Sequence, residues 1–250
     1  MEPTPNAIQS LDRGLTILRL LADRGTMSSA AIAEELGIHQ SSASRLLKSL
    51  RAAGLVRKPH FHGFAVGYGL LHIAGIAMKS FPIVPASVKV CTALNKRTGC
   101  GAAAGTLWEN RITYFARFTV NPDASPFLVD DSAFPVMDSA LGRLLLYRRA
   151  ENDGERGLPF MDGLIAESIR LSLAEYGIFH VESIHTNRFA AAIDFVVDGL
   201  ASAIIIHSET EYIAPRPAAE ILSEAKKDLF SLLHAKGAVL DHRELPFREV

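Results

Sequence analysis

The stretch His39-Gln-Ser-Ser-Ala-Ser-Arg-Leu-Leu-Lys-Ser-Leu-Arg-Ala-Ala-Gly54 decides the fold of the first third of this 250-residue chain. Leu46, Leu47 and Leu50 recur at helical spacing and form an apolar stripe. Arg45, Lys48 and Arg51 fall around the rest of the surface. The helix opens on Gln40, Ser41, Ser42 and Ser44, more small polar residues than a single cap requires. Short hydroxyl side chains let a helix sit deep in a groove about 12 Å wide, where they can donate to phosphates or base edges. Gly54 ends the helix.

Reading outward, Leu11, Leu15, Leu18 and Leu21 follow one another at i, i+4, i+7 and i+10. They predict an amphipathic helix that uses this face and stops at Gly25. Ser28 or Ser29 caps a second helix, Ala30 to Leu36, which ends at Gly37. Two short helices joined by a glycine-containing turn make a helix-turn-helix, whose second helix presents its N-terminal residues to the major groove. Downstream, Leu55-Val-Arg-Lys-Pro-His-Phe-His-Gly-Phe-Ala-Val-Gly67 reads as two short strands around a turn carrying Arg57, Lys58, His60 and His62. That is a β-wing with cations placed for the DNA backbone or minor groove. The candidate DNA contacts are therefore Ser28, Gln40, Ser41, Ser42, Ser44, Arg45, Lys48, Arg57 and Lys58, with Arg51 a further phosphate neighbour.

Composition agrees with a globular protein: 48% hydrophobic and 21% charged residues leave room for a substantial core. The formal net charge of −1 hides an asymmetry. Residues 1–80 sum to +4 and the remainder to −5, as expected for a polyanion-binding head on a body with another task. No apolar run reaches the roughly 20 residues of a membrane span, and the first nine residues lack a secretory pattern. A cytoplasmic protein without a membrane partner is expected. Cys91 and Cys100 form no metal or redox motif and read as reduced thiols.

After the wing, Leu70 to Lys79 is apolar on more than one face, and Pro82 and Pro85 mark a boundary. Ile83 to Arg97 predicts a helix with Val84, Val88, Cys91 and Leu94 on its stripe. Cys100 to Leu107 and Arg111 to Phe118 are strand-like. Helices are expected at Met137 to Arg149 and Ile165 to Glu175. Ile178 to Ile184, Phe189 to Val196 and Leu200 to His207 are strand-like, with a hairpin turn at Val197-Asp198-Gly199. A last helix runs from Ala218 to Ala235. The fold class is α+β: a winged helix-turn-helix (1–68), a linker helix (69–81) and an antiparallel sheet with flanking helices (82–250).

Residues 8–80 resemble the N-terminal domain of the IclR family of bacterial transcription regulators. The matching text is Ile8-Gln-Ser-Leu-Asp-Arg-Gly-Leu-Thr-Ile-Leu, Ala33-Glu-Glu-Leu-Gly, Ser41-Ser-Ala-Ser-Arg-Leu-Leu-Lys-Ser-Leu and Gly54-Leu-Val. The family's wing closes on Tyr-x-Leu-Gly, where this chain has Phe64-Ala65-Val66-Gly67. The rest resembles the family's GAF-like effector domain, most clearly at Pro135-Val-Met-Asp-Ser-Ala-Leu-Gly-Arg143 and Ile169-Arg-Leu-Ser-Leu-Ala-Glu-Tyr-Gly177. The resemblance implies double-stranded operator DNA as partner, pairing of subunits through the linker helix into a homodimer or a dimer of dimers, and a small organic effector. The effector would lie between the sheet and the helix that begins near Pro135. This chain departs from the family there. Arg188-Phe-Ala-Ala-Ala192 stands where a cysteine is common, and Ala203-Ile-Ile-Ile-His207 where serines are common. Candidate effector contacts are Met137, Ser139, Arg188, Phe189, Ile205 and His207, and a small carboxylate with an apolar, plausibly aromatic, body is expected.

An enzyme is not expected. GxSxG, Walker A, GxGxxG and HExxH patterns are absent, and Ser139 lacks the nucleophile-elbow context. His180, His185 and His207 with Glu209 fit no compact metal spacing. No metal or cofactor is expected. The competing reading is a small-molecule-binding or enzymatic protein whose N-terminal domain serves for protein contacts.

Overall fold

The computed structural model describes residues 8–59, 63–108, 111–119, 136–153, 161–183 and 188–235, without the side chains of Asn152, Asp153, Ser183 and Arg188. The wing residues His60 and His62, and also His185, lie outside the described residues. The chain divides into two compact units, Met1–Ser80 and Phe81–Val250.

The first unit runs α1 (Gln9–Arg24), α2 (Ser29–Glu35), α3 (Gln40–Ala52), β1 (Val56–Arg57), β2 (Ala65–Val66) and α4 (Tyr68–Ala77), then a 3-10 turn at Met78–Ser80. Its core is Ile17, Leu21, Ile32, Ala33, Ala43, Leu47 and Val56. Helix α1 turns a different face inward from the leucine stripe expected of it. Gly14, Ile17 and Leu21 are buried, and Leu11 and Leu15 stay 57% and 48% exposed. Gly14 faces α3, where a Cβ would lie at ordinary van der Waals distance, 4.0 Å, from Leu50. The inward arc of α1 is thus Gly14, Ile17 and Leu21, with Leu18 packed beside it. Ser28 caps α2, its Oγ accepting from the Ala31 N–H at 3.1 Å. The wing strands pair antiparallel, Val56 with Val66 and Arg57 with Ala65. Gly69 N–H donates to Gly54 O at 3.0 Å, and a Cβ on Gly67 would meet that oxygen at 2.2 Å. The start of α4 is thus laid directly on the end of α3. No residue of α4 is buried, and Tyr68, Leu71, Ile73 and Ile76 are exposed.

The second unit contains α5 (Ile83–Thr98), β3 (Gly101–Trp108), β4 (Arg111–Phe118), a 3-10 turn (Val136–Asp138), α6 (Ala140–Asp153), α7 (Gly163–Tyr176), β5 (Phe179–Ser183), β6 (Arg188–Val197), β7 (Leu200–Ser208) and α8 (Pro215–His234). The strands form one antiparallel sheet in the order β4-β3-β7-β6-β5. Asp198 and Gly199 take φ of 51° and 78°, the left-handed pair that a two-residue hairpin between twisted strands needs. Strand alternation divides the apolar residues between two faces. Ile204 and Ile206 pack with α5 and α8, whereas Ala203 and Ile205 pack with α6 and α7.

Two sequence expectations change here. Helix α5 packs on β3, β4 and α8, so its buried arc is wider than one stripe. It takes in Ile83, Ala86, Val90, Cys91 and Leu94, while Val84 and Val88 are only partly buried. The segment read as one helix from Met137 is two pieces, the 3-10 turn and then α6. Gly142 explains the break. A Cβ there would meet Val136 O at 2.2 Å and Val136 Cγ2 at 2.8 Å, so the turn folds back onto the bare backbone of α6.

Strand β6 outruns its neighbour. Pairing with β5 covers Arg188 to Ala192. Beyond it, Lys226 on α8 donates Nζ–H to Asp194 O at 2.7 Å. The Asp194 carboxylate takes Arg148 of α6 through Nε at 3.0 Å, with NH2 at 3.4 Å. Burial pushes the Lys226 ammonium below its ordinary pKa, against the opposing pull of Asp194.

Candidate nucleic-acid interface and ligand cavity

The turn before α3 passes through Gly37 at φ 60°, and α3 starts after His39, which contributes no side-chain cap. The serines at the helix start therefore do not serve as the N-cap. Ala43 and Leu47 are buried and Leu46 and Leu50 pack against the same cluster, which fixes the opposite face outward. Gln40, Ser41, Ser44, Arg45 and Lys48 are exposed on it, and Ser42 is half-buried beside Ala43. Gln40 Nε2 reaches Ser29 Oγ at 3.5 Å. Ser28 is exposed, with its oxygen already accepting at the α2 cap. In the wing, Arg57 donates Nε–H to Val66 O at 3.1 Å and sits 5.6 Å from the Tyr68 ring, and Lys58 Nζ lies 5.9 Å from the Phe64 ring. Both cations are exposed and held along the wing by these contacts. A convex cationic face with short hydroxyls beside it is what phosphate and base-edge contacts require.

The second unit holds a cavity of about 370 Å³ between the sheet and the start of α6. Its floor follows from the register. Arg117, Ala103 and Ile205 form one cross-strand row, and Gly101, His207, Ala190 and Val181 form the next. Small residues at the centre of these rows leave the space. Gly101 is needed for a second reason, because a Cβ there would lie 2.3 Å from the His207 ring. The imidazole lies across the strand where that Cβ would be. Tyr114 of β4 lines the β4 side, with the Arg117 guanidinium 5.3 Å from its ring centroid. The roof is Asp138, Ser139, Ala140 and Arg143, and Phe189, Ser208 and Glu209 close the β6–β7 side. Arg143 donates Nε–H to Met137 O, tying α6 to the 3-10 turn. The rim beyond Glu209 is anchored by His180, whose Nε2–H donates to Ile213 O at 2.6 Å, and by Tyr212, which packs edge-on to Phe189 at 5.6 Å.

Of the residues singled out from sequence, Ser139, Phe189, Ile205 and His207 line this cavity. Met137 is not among the residues that line it; its carbonyl accepts from Arg143, which does. Arg188 begins β6 opposite Ser183, and its side chain lies outside the described residues. Sequence reasoning missed Arg117, Arg143, Tyr114, Asp138 and Glu209. Two faint signals pointed that way, the small-residue run Gly101-Ala102-Ala103-Ala104-Gly105 and the run Ala190-Ala191-Ala192. Cys91 is wholly buried and its thiol pKa is raised by burial. Cys100 is raised in the same direction, mainly by burial. Neither suits nucleophilic chemistry.

Comparison with known proteins adds three kinds of likeness. A sequence model described as the IclR helix-turn-helix domain matches residues 10–60. An uncharacterized HTH-type transcriptional regulator, RhmR of Escherichia coli K12, is 25% identical over 139 residues, which are 56% of this chain and 54% of that protein. The match thus spans about half the length of the curated relative. Among solved structures, an IclR homologue from Microbacterium hydrocarbonoxydans in complex with 4-hydroxybenzoate superposes with a TM-score of 0.71 at 17% identity, over 90% of this chain and 99% of that one. A putative IclR-type transcriptional regulator from Silicibacter sp. TM1040 gives 0.72 at 17% identity, over 95% and 99%. At such identities these two likenesses concern the fold. Among the described residues no single helix is long and apolar enough to cross a membrane.

Proposed function

We propose that the chain is a transcriptional regulator of the IclR family, and that it binds operator DNA through α3 and the wing, under control of a small organic acid held in the cavity of the second unit. The observation that carries this reading is the outward face of α3, where Gln40, Ser41, Ser44, Arg45 and Lys48 are exposed in the segment matched by the helix-turn-helix model. Ser28, Ser42, Arg57 and Lys58 complete the contact set. The side chains nearest the helix start face the bases, and the cations take phosphates. The protein works in the cytoplasm, where its DNA lies, and no catalytic step is assigned to it.

Pairing of two chains supplies the second recognition helix. Ile8, Leu11 and Leu15 on and before α1, and Leu71, Ile73 and Ile76 on α4, are exposed apolar residues that a monomer has no reason to leave in water. A homodimer, or a dimer of two such dimers, places recognition helices on half-sites one helical turn or a multiple apart. Ligand binding changes operator affinity only through unequal affinity for the DNA-competent and DNA-incompetent arrangements. The carboxylate preference rests on the cations of the cavity and on the neighbour that holds 4-hydroxybenzoate.

The test is a mobility shift on the gene's own upstream DNA across a salt series. Affinity is expected to fall steeply with salt, and Arg45→Ala is expected to lower the log–log slope by about 1. A salt-insensitive complex, or full DNA binding by Arg45→Ala, favours a helical domain used for protein contacts instead.

A further inference from the structure

Resting on the reading of α3 as the helix that enters the major groove, we infer that Gln40 is a base-specifying residue that reads an adenine, and that Ser29 positions its amide. The exposed residues at the start of α3 differ in what they can tell apart. Ser41 and Ser44 carry hydroxyls that rotate to donate or to accept, so they suit most base edges and select weakly. Arg45 and Lys48 donate and never accept, and phosphates satisfy them without any sequence being read. Of these residues only Gln40 holds a donor and an acceptor in one rigid plane. Adenine offers the matching pair in the major groove, its N7 acceptor beside its N6 amino donor. A two-bond contact of this kind discriminates against the other bases.

The fold decides where that plane sits. The first buried residue of α3 is Ala43, so Gln40 stands ahead of the packed part of the helix, exposed at its end. There it meets the start of α2, with Nε2 3.5 Å from Ser29 Oγ. The adjacent Ser28 Oγ is engaged by the Ala31 N–H, which leaves the Ser29 hydroxyl as the α2 group that faces the amide. Among the described residues this is the one side-chain bond of Gln40, so the second Nε2 hydrogen and Oε1 are open to a base. A contact of 3.5 Å is at the long end of hydrogen bonding. It sets which amide atom faces α2 and leaves the plane free to settle onto a base edge. The tight turn through Gly37 joins the two helices, so Ser29 and Gln40 arrive at the groove as one pre-arranged pair, which lowers the ordering cost of the contact.

Selection of bound duplexes from a randomised library by the full chain, followed by titration of single-pair variants, tests this. The wild-type chain is expected to select at least one A·T pair in each half-site and to bind other bases at that pair about tenfold or more weaker. Gln40→Ala is expected to cut that preference to about threefold or less and to leave the preferences at other pairs in place. Gln40→Glu, which only accepts, is expected to move the preference toward cytosine through its N4 amino group. Replacing the selected adenine by 7-deazaadenine removes the N7 acceptor. It is expected to weaken the wild-type complex about fivefold and the Gln40→Ala complex hardly at all. Ser29→Ala is expected to lower discrimination at the same pair by about twofold to threefold with the salt slope unchanged. A preference that survives intact in Gln40→Ala, or a deazaadenine duplex bound by the wild-type chain as well as its parent, overturns Gln40 as the reader. A loss in Gln40→Ala confined to a G·C pair overturns adenine as the base read. Uniform weakening of all duplexes by Ser29→Ala, or no change at all, overturns its positioning role. If the wild-type chain enriches no sequence, the reading of α3 as an operator-binding helix falls with the rest.

Discussion

The two functional regions of this protein are opposite in construction. The α3 face is convex, lies on one helix, and is held by two buried residues directly beneath it, Ala43 and Leu47. The cavity is concave and borrows side chains from all five strands of its sheet, from α6 and from a 3-10 turn. A one-helix face can fail only if the helix moves as a whole. A many-element cavity fails when any wall shifts by an ångström. The difference teaches where each region is vulnerable: the first to cavities made under the helix, the second to atoms added where glycine and alanine keep space open.

Leu47→Ala attacks the first at its root. Leu47 has no exposed surface, so the N-terminal unit should lose about 3 kcal/mol. Urea unfolding should show this loss with operator binding gone, while titrated ligand affinity stays unchanged. Equal loss of both activities would erase the distinction between the regions. Gly142→Ala is the reverse experiment. Its Cβ would lie 2.2 Å from Val136 O, a backbone atom that cannot swing aside. A cost of about 2 kcal/mol is expected, along with weakened ligand binding, as the 3-10 turn carrying Asp138 is pushed off α6. Operator binding without ligand should persist in mobility shifts.

Ser28 sharpens the comparison at a smaller scale. Ser28→Ala removes the α2 cap and should cost about 1 kcal/mol. Ser28→Asp keeps an acceptor for the Ala31 N–H yet should still weaken operator binding, through charge. If both variants bind DNA equally, Ser28 is a cap and nothing more. The smallest effect is expected at the exposed Arg24–Glu35 ion pair between α1 and α2. Arg24→Ala should change thermal stability by about 0.5 kcal/mol or less, and by less still at high salt.

The same contrast explains what the sequence could disclose. The α3 face was legible because its residues are consecutive and their spacing alone assigns them to one side. Element types were legible along the second unit for a similar local reason, down to the turn at Asp198-Gly199. The cavity was legible only in part. Phe189, Ile205 and His207 sit on strands whose alternation is visible, but Arg117 and Arg143 are 26 positions apart on elements that meet only through the fold. Nothing local marks Arg143 as different from Arg148, since the distinction is that Asp194, on a later strand, reaches one and not the other. The outward turn of Leu11 and Leu15 was hidden for a related reason. The buried arc is centred on Gly14, Ile17 and Leu21 rather than on Leu11 and Leu15, a phase set by packing against the rest of the unit and not by the leucine spacing alone.

The amine of Lys226 has a consequence away from either site. Among the described residues strand β6 has no β5 partner past Ala192, and an unpaired strand margin is a template on which a foreign or neighbouring chain can add itself. The ammonium takes the Asp194 carbonyl and places a positive charge where such an intruder's own N–H would have to dock. Among the described residues, Lys226 thus occupies this margin with a charged side chain from α8, which disfavours the addition of a foreign strand along Ile193 to Val197.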